Sequence, residues 1–458
     1  MLFSSAVFLF FFLPLTLLCY ALAPKYAKNC VLLIASLLFY AFGEPRYTLL
    51  LLACALVNYG AARLIVGTGR EKLRRFILIA SLLISFSLLF YYKYLGFFAS
   101  ILGISLTAPT LPAGISFYTF QATSYTVDVY RREIQAEKSP FTFATYLCLF
   151  PQLIAGPIVR YSDVAAELDE REHTLPLFAE GTLTFAVGLA KKVILADSLA
   201  DLVSAYRGGA PTVLFAWLYA IAFTLEIYFD FSGYSDMAIG LGKLFGFHFP
   251  QNFNYPYMAR SITEFWRRWH ITLSSWFRSY VYIPLGGNRK GKGRQILNLL
   301  AVWLLTGLWH GAAWNFLLWG LLYAILLIFE KLGGLALLER LPRFFGHLYT
   351  LFFVTMGFVL FNAESLSEAF ADLGNLFAFS RLPLFDERSL FHLQNAFGLI
   401  ALSLFAATPL PRWLLCRLAA RKPRLASAAR PVAMASLLTL AIAFTVSDSF
   451  RPFLYFRF

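Results

Sequence analysis

Long apolar stretches separated by short polar loops run through almost the whole chain. A membrane-spanning helix needs roughly 20 apolar residues, and shorter stretches are typical of re-entrant or interfacial segments. The pattern therefore predicts roughly ten to thirteen membrane-embedded helices, some of which do not cross completely. The clearest stretches are 3–23, 30–42, 46–66, 76–92, 113–130, 177–200, 212–232, 345–362, 394–410 and 431–447, while 141–159 and 295–330 are apolar but harder to divide.

The composition leads to the same interpretation. Hydrophobic residues make up 59% of the 458 residues and charged residues 14%, whereas soluble domains are about 25% charged. Such a chain cannot cover its apolar surface with polar side chains, so the excess must face lipid. We predict an all-α polytopic membrane protein, and because no repeat or linker divides the sequence, we interpret 1–458 as one domain.

The net charge of +14 does not indicate a nucleic-acid-binding protein, because the basic residues are spread over short loops. Basic loops of membrane proteins stay on the cytoplasmic side. Loops 67–75, 286–294 and 411–430 are therefore predicted to be cytoplasmic, and the acidic loop 364–388 to lie on the opposite side. This order places the N-terminus outside the cytoplasm and leaves the topology of 131–283 open.

The apolar stretch 295–329 is too long for one crossing. As a single helix it would extend about 52 Å, against a hydrocarbon core of about 30 Å. Basic residues flank it on both sides, which predicts a hairpin that turns near Trp309, His310 and Gly311. Irregular backbone at membrane depth is tolerated only beside protein or water. The sequence therefore predicts a polar cavity at His310.

An ionisable residue at membrane depth is a functional candidate, and His310 is the strongest one in this chain. Trp309 and Asn315 flank it and are candidates for lining the same site. A neutral imidazole can take the proton of a hydroxyl near pH 7, which acyl transfer requires. The alternative is a histidine that only packs helices; Gly307 and Gly311 suit close helix packing and do not discriminate.

The segment 261–273 has the composition of an interfacial helix. Ser261 and Glu264 form a capping-box pattern at its start, and aromatic side chains then share one face beside several arginines. The alternative is a plain surface anchor without a catalytic role. The candidate functional residues here are Trp266, Arg267 and His270.

Three acidic residues, Glu226, Asp230 and Asp236, lie in apolar surroundings. Glu226 and Asp230 are four residues apart and share a helix face. Such acids must pair or face water, and the expected partners are Arg267 and Arg268 or Lys191 and Lys192. They could stabilise the scaffold, form a proton path or orient a histidine.

Other chemistry finds little support. The sequence has no phosphate-binding loop, no serine-hydrolase elbow and no zinc motif, and its five cysteines are scattered. We therefore expect no metal, no bound cofactor and no disulfide framework.

Long motifs follow one another nearly from end to end of the chain, at 112–121, 150–160, 228–236, 265–270, 282–287, 308–312 and 451–458. In this order they resemble the membrane-bound O-acyltransferase family, specifically its bacterial alginate O-acetylation type. The resemblance implies a ring of helices around a central tunnel, with His310 as the catalytic residue and His270 near the donor side.

The resemblance also implies the reaction. An acetyl group would move from a cytoplasmic thioester, acetyl-CoA or an acyl-carrier thioester, to an exported polysaccharide such as alginate. The protein would lie in the bacterial inner membrane, among lipids, beside a separate periplasmic partner with an esterase-like fold. The residues leave two alternatives open, a transporter or flippase of a polysaccharide precursor and a scaffold with an inactive site.

Overall fold

The computed structural model describes residues 1–107, 109–447 and 453–454, so nearly all of the closing motif 451–458 lies outside the described residues. Helices are the only regular structure within that part, which confirms the all-α prediction. The α-helices are α1 (Leu13–Leu22), α2 (Lys28–Gly43), α3 (Thr48–Gly67), α4 (Glu71–Leu89), α5 (Leu95–Ile101), α6 (Ile115–Arg131), α7 (Pro140–Cys148), α8 (Phe150–Leu153), α9 (Tyr161–Asp169), α10 (Leu175–Ala190), α11 (Asp197–Arg207), α12 (Val213–Leu244), α13 (Ile262–Arg268), α14 (Ile271–Phe277), α15 (Lys292–His310), α16 (Trp314–Phe329), α17 (Leu335–Arg340), α18 (Arg343–Asn362), α19 (Leu366–Asn375), α20 (Glu387–Ala406), α21 (Leu410–Arg421) and α22 (Pro423–Ser447).

Short π-helical and 3₁₀ segments adjoin several of these α-helices. The π-helical turns are Phe8–Phe12, Phe90–Tyr94, Lys191–Ala196, Arg278–Tyr282 and Glu330–Gly334, and the 3₁₀ turns are Lys25–Ala27, Pro45–Tyr47 and Pro256–Met258.

Eight helical stretches in the described part are long and apolar enough to cross a membrane. They are Lys25–Gly43, Pro45–Gly67, Glu71–Ile101, Val213–Leu244, Trp314–Arg340, Arg343–Asn362, Glu387–Ala406 and Pro423–Ser447. The predicted spans 3–23, 113–130 and 177–200 are also helical, but they fall outside this group; the first contains the shorter apolar helix Phe8–Leu22. The predicted loop 411–430 is wrong in its local structure, because α21 and the start of α22 occupy it.

The helices belong to two compact units. The first contains Met1–Phe185 and Tyr234–Pro250, and the second contains Ala186–Gly233 and Gln251–Phe458. The prediction of a single domain and the predicted ring around a through-tunnel remain predictions.

Aromatic and aliphatic side chains form the core of the second unit. The core includes Tyr228 and Phe231 of α12, and Trp319 and Tyr323 of α16. Helix α12 is apolar on all sides, as expected of a buried helix: in its most apolar window 83% of residues are buried, against 6% in Pro423–Ser447. The candidate residues of α12 up to Asp230 therefore lie in the interior of this unit.

Candidate active site

The predicted hairpin in 295–330 is confirmed. Helix α15 ends at His310, and α16 begins at Trp314 after a three-residue turn. The two helices approach closely because Gly307 and Gly320 lack side chains: a Cβ at Gly307 would lie 2.3 Å from the carbonyl oxygen of Phe316. His310 is therefore the last residue of α15, and the backbone becomes extended at the next residue, Gly311.

His310 lies in an aromatic enclosure and is 4% exposed. The centroid of its ring is 5.0 Å from the rings of Trp309 and Trp319 and 5.3 Å from that of Phe361. The three rings come from α15, α16 and α18, so three helices determine the position of the imidazole.

His270 lies at a break between two helices, which corrects the prediction of one continuous interfacial helix over 261–273. Helix α13 ends at Arg268, and α14 begins at Ile271. Between them His270 has φ 43° and ψ 54°, in the left-handed region that non-glycine residues seldom adopt. The helix predicted from the composition of this segment is therefore interrupted at His270.

Asn252 fixes the His270 ring. Its Oδ1 accepts hydrogen bonds from the backbone N–H and the hydroxyl of Thr272, at 3.3 and 2.9 Å, and lies 3.1 Å from His270 Nδ1. Since this oxygen is an acceptor, His270 Nδ1 carries the proton and Nε2 carries the lone pair. Burial lowers the pKa of His270 to about 3, so the ring is neutral at pH 7.

The structure brings the two candidate histidines to the same indole. The His270 ring is 6.0 Å from Trp309 by centroids and packs edge-on against Phe231 at 4.7 Å. Trp309 lies between the two imidazoles in this chain of contacts. His270 and His310 are 40 positions apart in the sequence. The hairpin of α15 and α16 and the helix break at His270 bring their rings to the same side chain.

Helix α13 is anchored at its N-terminus by two acceptors. Ser261 Oγ accepts from the backbone N–H of Glu264 at 3.0 Å, as the capping pattern predicted. The carboxylate of Glu330 accepts from the N–H groups of Ile262 and Thr263 at 2.6 and 2.8 Å. Glu330 therefore fixes α13 against the end of α16.

Trp266 of α13 belongs to an aromatic cluster, which we define as Trp266, Trp303, Trp319 and Tyr323. The ring of Trp266 is 4.6 Å from Trp303, 5.6 Å from Trp319 and 4.9 Å from Tyr323. Trp319 also touches His310, so the cluster connects α13 with the catalytic candidate.

A cavity of about 460 Å³ adjoins this cluster, and we call it the basic cavity. Trp266, Trp303 and Thr306 are among the residues that line it, and Thr306 lies one turn before His310 on α15. Its cations are Arg267, Arg278 and Lys331. No described carboxylate lies within ion-pair distance of these three, whereas Arg268 is paired with Glu264 at 2.7 Å. The cavity thus offers positive charge that the described chain does not neutralise.

The three acidic candidates have different surroundings, and Asp230 is the best defined of them. Asp230 pairs with Lys192 at 2.6 Å, one of the partners expected from the sequence, and Lys192 also contacts Asp197 at 2.8 Å. The other oxygen of Asp230 accepts from the N–H of Leu454 at 2.8 Å. Asp230 therefore holds together the interior of the second unit.

The remaining candidates have different places. Glu226 is buried one turn before Asp230 on α12, while Asp236 belongs to the first unit. Asn315 donates from Nδ2 to the carbonyl oxygen of Ala363 at 2.7 Å and so joins the hairpin to the end of α18. In the described part of the chain no group of three His, Cys, Asp or Glu residues is arranged to hold a metal ion.

Sequence reasoning missed Asn252, Glu330, Trp319 and Tyr323. Asn252 and Glu330 carry no periodic signal, because each is a single polar residue that acts on a segment distant in the sequence. Trp319 and Tyr323 are four apart and share a face of α16, a pattern that the apolar composition of the helix concealed.

The chain is similar to a known family of membrane enzymes and to several of its named members. Residues 130–368 match the model of the membrane-bound O-acyltransferase family. The chain is 42% identical to "Probable alginate O-acetylase AlgI" of Azotobacter vinelandii over 84% of this chain and 80% of that protein. It is 39% identical to the protein of the same name in Pseudomonas putida over all of both chains. It is 36% identical to "Peptidoglycan O-acetyltransferase" of Helicobacter pylori, over 81% of this chain and 78% of that protein.

The match to the family covers more than half of the chain and includes both histidines and the hairpin. The relatives named as acetyltransferases cover most or all of it. The chain therefore belongs to the membrane-bound O-acyltransferase family, and it is a multi-pass membrane enzyme that transfers acyl groups to hydroxyls.

Proposed function

We propose that this enzyme transfers an acetyl group from a cytoplasmic thioester, acetyl-CoA, toward a hydroxyl of an exported polysaccharide, with His310 as the general base. One observation carries the proposal: two buried histidines contact the same indole, Trp309, at the turn of the α15–α16 hairpin. A purely structural histidine does not require a second one beside it.

His310 is suited to take a proton from the acceptor hydroxyl. As that proton moves to the imidazole, the hydroxyl oxygen bonds to the thioester carbonyl carbon. The intermediate collapses when the carbon–sulfur bond breaks, and the thiolate takes the proton back from the imidazolium. A positioned general base contributes about 10²- to 10⁴-fold to such a reaction, and the aromatic enclosure of His310 limits the access of competing water.

His270 serves at the donor side in this proposal. Its neutral ring, fixed by Asn252, presents a lone pair at Nε2 rather than a positive charge. In this proposal Nε2 accepts a hydrogen bond from the amide N–H of the pantetheine arm next to the thioester, which positions that end of the donor. Trp309 separates this ring from His310, so one indole helps to orient both groups.

The basic cavity supports acetyl-CoA as the donor. Arg267, Arg278 and Lys331 supply charge for the phosphates of a nucleotide-bearing donor, and Arg side chains bind phosphate in a forked geometry. Thr306 extends the cavity wall to within one turn of His310. An acyl-carrier thioester would bring a single phosphate to the same place.

The acceptor is proposed from the named activities of the relatives. Two are named "Probable alginate O-acetylase" and one "Peptidoglycan O-acetyltransferase". Both acceptors are cell-surface glycans, so we propose an exported glycan as the acceptor here. A separate periplasmic protein of esterase-like fold would complete delivery, and the inner membrane is the proposed location.

The test replaces His310 and compares it with another membrane-helix histidine. His347 lies on α18, where its Nδ1 bonds to the carbonyl oxygen of Ala259. At equal abundance in membranes, His310→Ala should lower acetyl-CoA turnover by about 10²- to 10⁴-fold, while His347→Ala keeps it. Mass spectrometry of the surface polysaccharide should show the same contrast. Unchanged acetylation in His310→Ala would contradict the proposal.

The same assay identifies the donor. Arg267 lines the basic cavity, whereas its neighbour Arg268 is paired with Glu264. Arg267→Gln should raise KM for acetyl-CoA and leave KM for acetyl-pantetheine, which lacks the nucleotide, unaltered. Arg268→Gln should change neither. An equal effect on both donors would exclude nucleotide binding in this cavity.

A further inference from the structure

Three hydrogen-bond donors in the aromatic cluster have no acceptor among the described residues. They are Nε1 of Trp266, Nε1 of Trp319 and the hydroxyl of Tyr323. Trp266 is 7% exposed, Trp319 1% and Tyr323 0%. Buried polar groups in native proteins are almost always hydrogen-bonded, and each exception needs an explanation.

The three rings that carry these donors pack against one another. The ring centroids of Trp319 and Tyr323 are 5.0 Å apart, and both rings contact Trp266. Trp266 lines the basic cavity, and Trp319 packs against His310 at 5.0 Å. The cluster therefore occupies the space between the proposed donor site and the proposed base.

Phenylalanine at 323 would fill the same volume without burying an unsatisfied hydroxyl. The polar atoms thus lower stability while adding nothing to the packing of the free protein. This cost is understandable if the groups act on an oxygen that enters with the substrate. Acyl transfer creates such an oxygen, because the carbonyl gains negative charge in the tetrahedral intermediate.

We propose that Trp319 Nε1 and Tyr323 Oη form the oxyanion hole of the enzyme. The inference rests on the proposed function, since it assigns donors to the thioester carbonyl. When the acceptor oxygen bonds to the carbonyl carbon, the π electron pair moves to the carbonyl oxygen, and the two donors stabilise that anion. The pair returns as the carbon–sulfur bond breaks, with proton transfer through His310 as described above. Trp266 joins them to the basic cavity, since its ring lines that cavity and contacts both Trp319 and Tyr323.

Tyr323→Phe removes one oxygen atom and tests the role directly. We expect kcat for acetyl-CoA turnover to fall by about 10²- to 10³-fold, as for the loss of one oxyanion donor elsewhere. KM should change little, because the interaction strengthens only in the transition state. The thermal unfolding midpoint should not fall, because the lost hydroxyl has no partner to lose. A lowered midpoint with normal kcat would assign the hydroxyl to structure and overturn the proposal.

Tyr257→Phe is the matched control. The hydroxyl of Tyr257 is buried in the same unit but donates to the carbonyl oxygen of Thr224. Its removal should lower the unfolding midpoint and leave kcat near the wild-type value, the reverse of the expectation for Tyr323→Phe. If both variants behaved alike, the distinction between partnered and unpartnered hydroxyls would fail.

Trp319 is tested by replacing the indole with benzothienylalanine, which keeps the ring size and lacks the N–H group. We expect kcat to fall by about 10²-fold with expression and midpoint retained. Loss of turnover in His310→Ala together with normal turnover in both ring variants would overturn the oxyanion hole alone. Equal turnover in wild type and His310→Ala would instead overturn the proposed function.

Discussion

His270 is held in a backbone conformation that few side chains adopt. Such conformations cost about 1–3 kcal/mol and persist where neighbouring groups determine them. Here the backbone of Asn252 accepts from the N–H of Ile271 at 3.0 Å, and its side chain bonds to the imidazole and to Thr272. The strain is therefore part of the arrangement that places the ring against Trp309.

The buried imidazole makes stability depend on pH. Burial lowers the pKa of His270 from 6.5 to about 3, so between these values the unfolded chain binds a proton that the folded chain does not. Lowering the pH through this window therefore favours unfolding. We expect the wild type to lose about 2 kcal/mol more stability than His270→Asn between pH 6.5 and 5.

The measurement is thermal unfolding of both proteins in the same detergent at the two pH values. Asn is chosen because it tolerates the left-handed conformation better than most residues. An identical pH dependence in the two proteins would mean that the folded state protonates His270 as readily as the unfolded chain does.

Individual residues differ in how far the sequence predicts them. His310 could be identified because a titratable side chain in a long apolar stretch is unusual. Asn252 and Glu330 could not, because their hydrogen bonds join positions 18 and 68 residues apart. The sequence predicts that Asp230 needs a cationic partner, but the choice between Lys192 and the arginines depends on the fold.

At the scale of helices, the hairpin of α15 and α16 depends on two small residues. A Cβ at Gly307 would lie 2.3 Å from the carbonyl oxygen of Phe316, and one at Gly320 would lie 2.4 Å from that of Trp303. Real Cβ contacts are essentially never below 3.0 Å. Backbone contact between membrane helices is typical of such small residues, and it positions His310 at the turn.

Gly320→Ala should separate the two helices. Overpacking typically costs 1–3 kcal/mol, and here the obstacle is backbone rather than a flexible side chain, so we expect the upper part of that range. The unfolding midpoint and acetyl-CoA turnover should both fall. The control is Gly374→Ala on α19, where nothing lies within 4 Å of the added Cβ; it should be neutral or stabilise by up to about 1 kcal/mol. Wild-type behaviour of Gly320→Ala would show that the helices do not touch there.

The break between α13 and α14 shows why some elements could not be predicted. The apolar positions Trp266, Trp269 and Leu273 keep helical spacing across it, and neither Gly nor Pro marks it. The interruption comes from tertiary contacts, since Asn252 and Asn254 hydrogen-bond to the backbone at Ile271 and Arg268. Hydrophobic periodicity contains no information about such competition, whereas it does predict the long apolar helices.

At the scale of the whole molecule, charge is distributed unevenly over the loops. The basic loop 286–294 leads into α15 and contains Asn288, which lines the basic cavity. The acidic segment 364–388, predicted as a loop, contains α19 and follows α18, the helix that supplies Phe361 to the enclosure of His310. If the two loops lie on opposite sides of the membrane, donor and acceptor can reach one site from different compartments.

Cysteine labelling tests this topology. Cys19, Cys30 and Cys416 are exposed and are first changed to Ser, while Cys54 and Cys148 are buried. Asn288→Cys and Ser380→Cys are then introduced separately at exposed positions of the two loops. A membrane-impermeant maleimide added to intact cells with a permeable outer membrane should label position 380 and spare position 288. In inside-out vesicles the pattern should be reversed.

The opposite labelling of positions 288 and 380 in cells and in inside-out vesicles is the informative result, because it relates the charge pattern of the loops to the proposed direction of acetyl transfer. Excess Lys and Arg determine which loops stay in the cytoplasm, and the same excess beside the basic cavity suits a donor made in the cytoplasm. If both positions were labelled from the outside, the cavity would face the wrong compartment for acetyl-CoA and the donor would have to be reassigned. Labelling of position 288 only from the cytoplasm, together with protection by CoA, would place the donor site and its compartment in a single experiment.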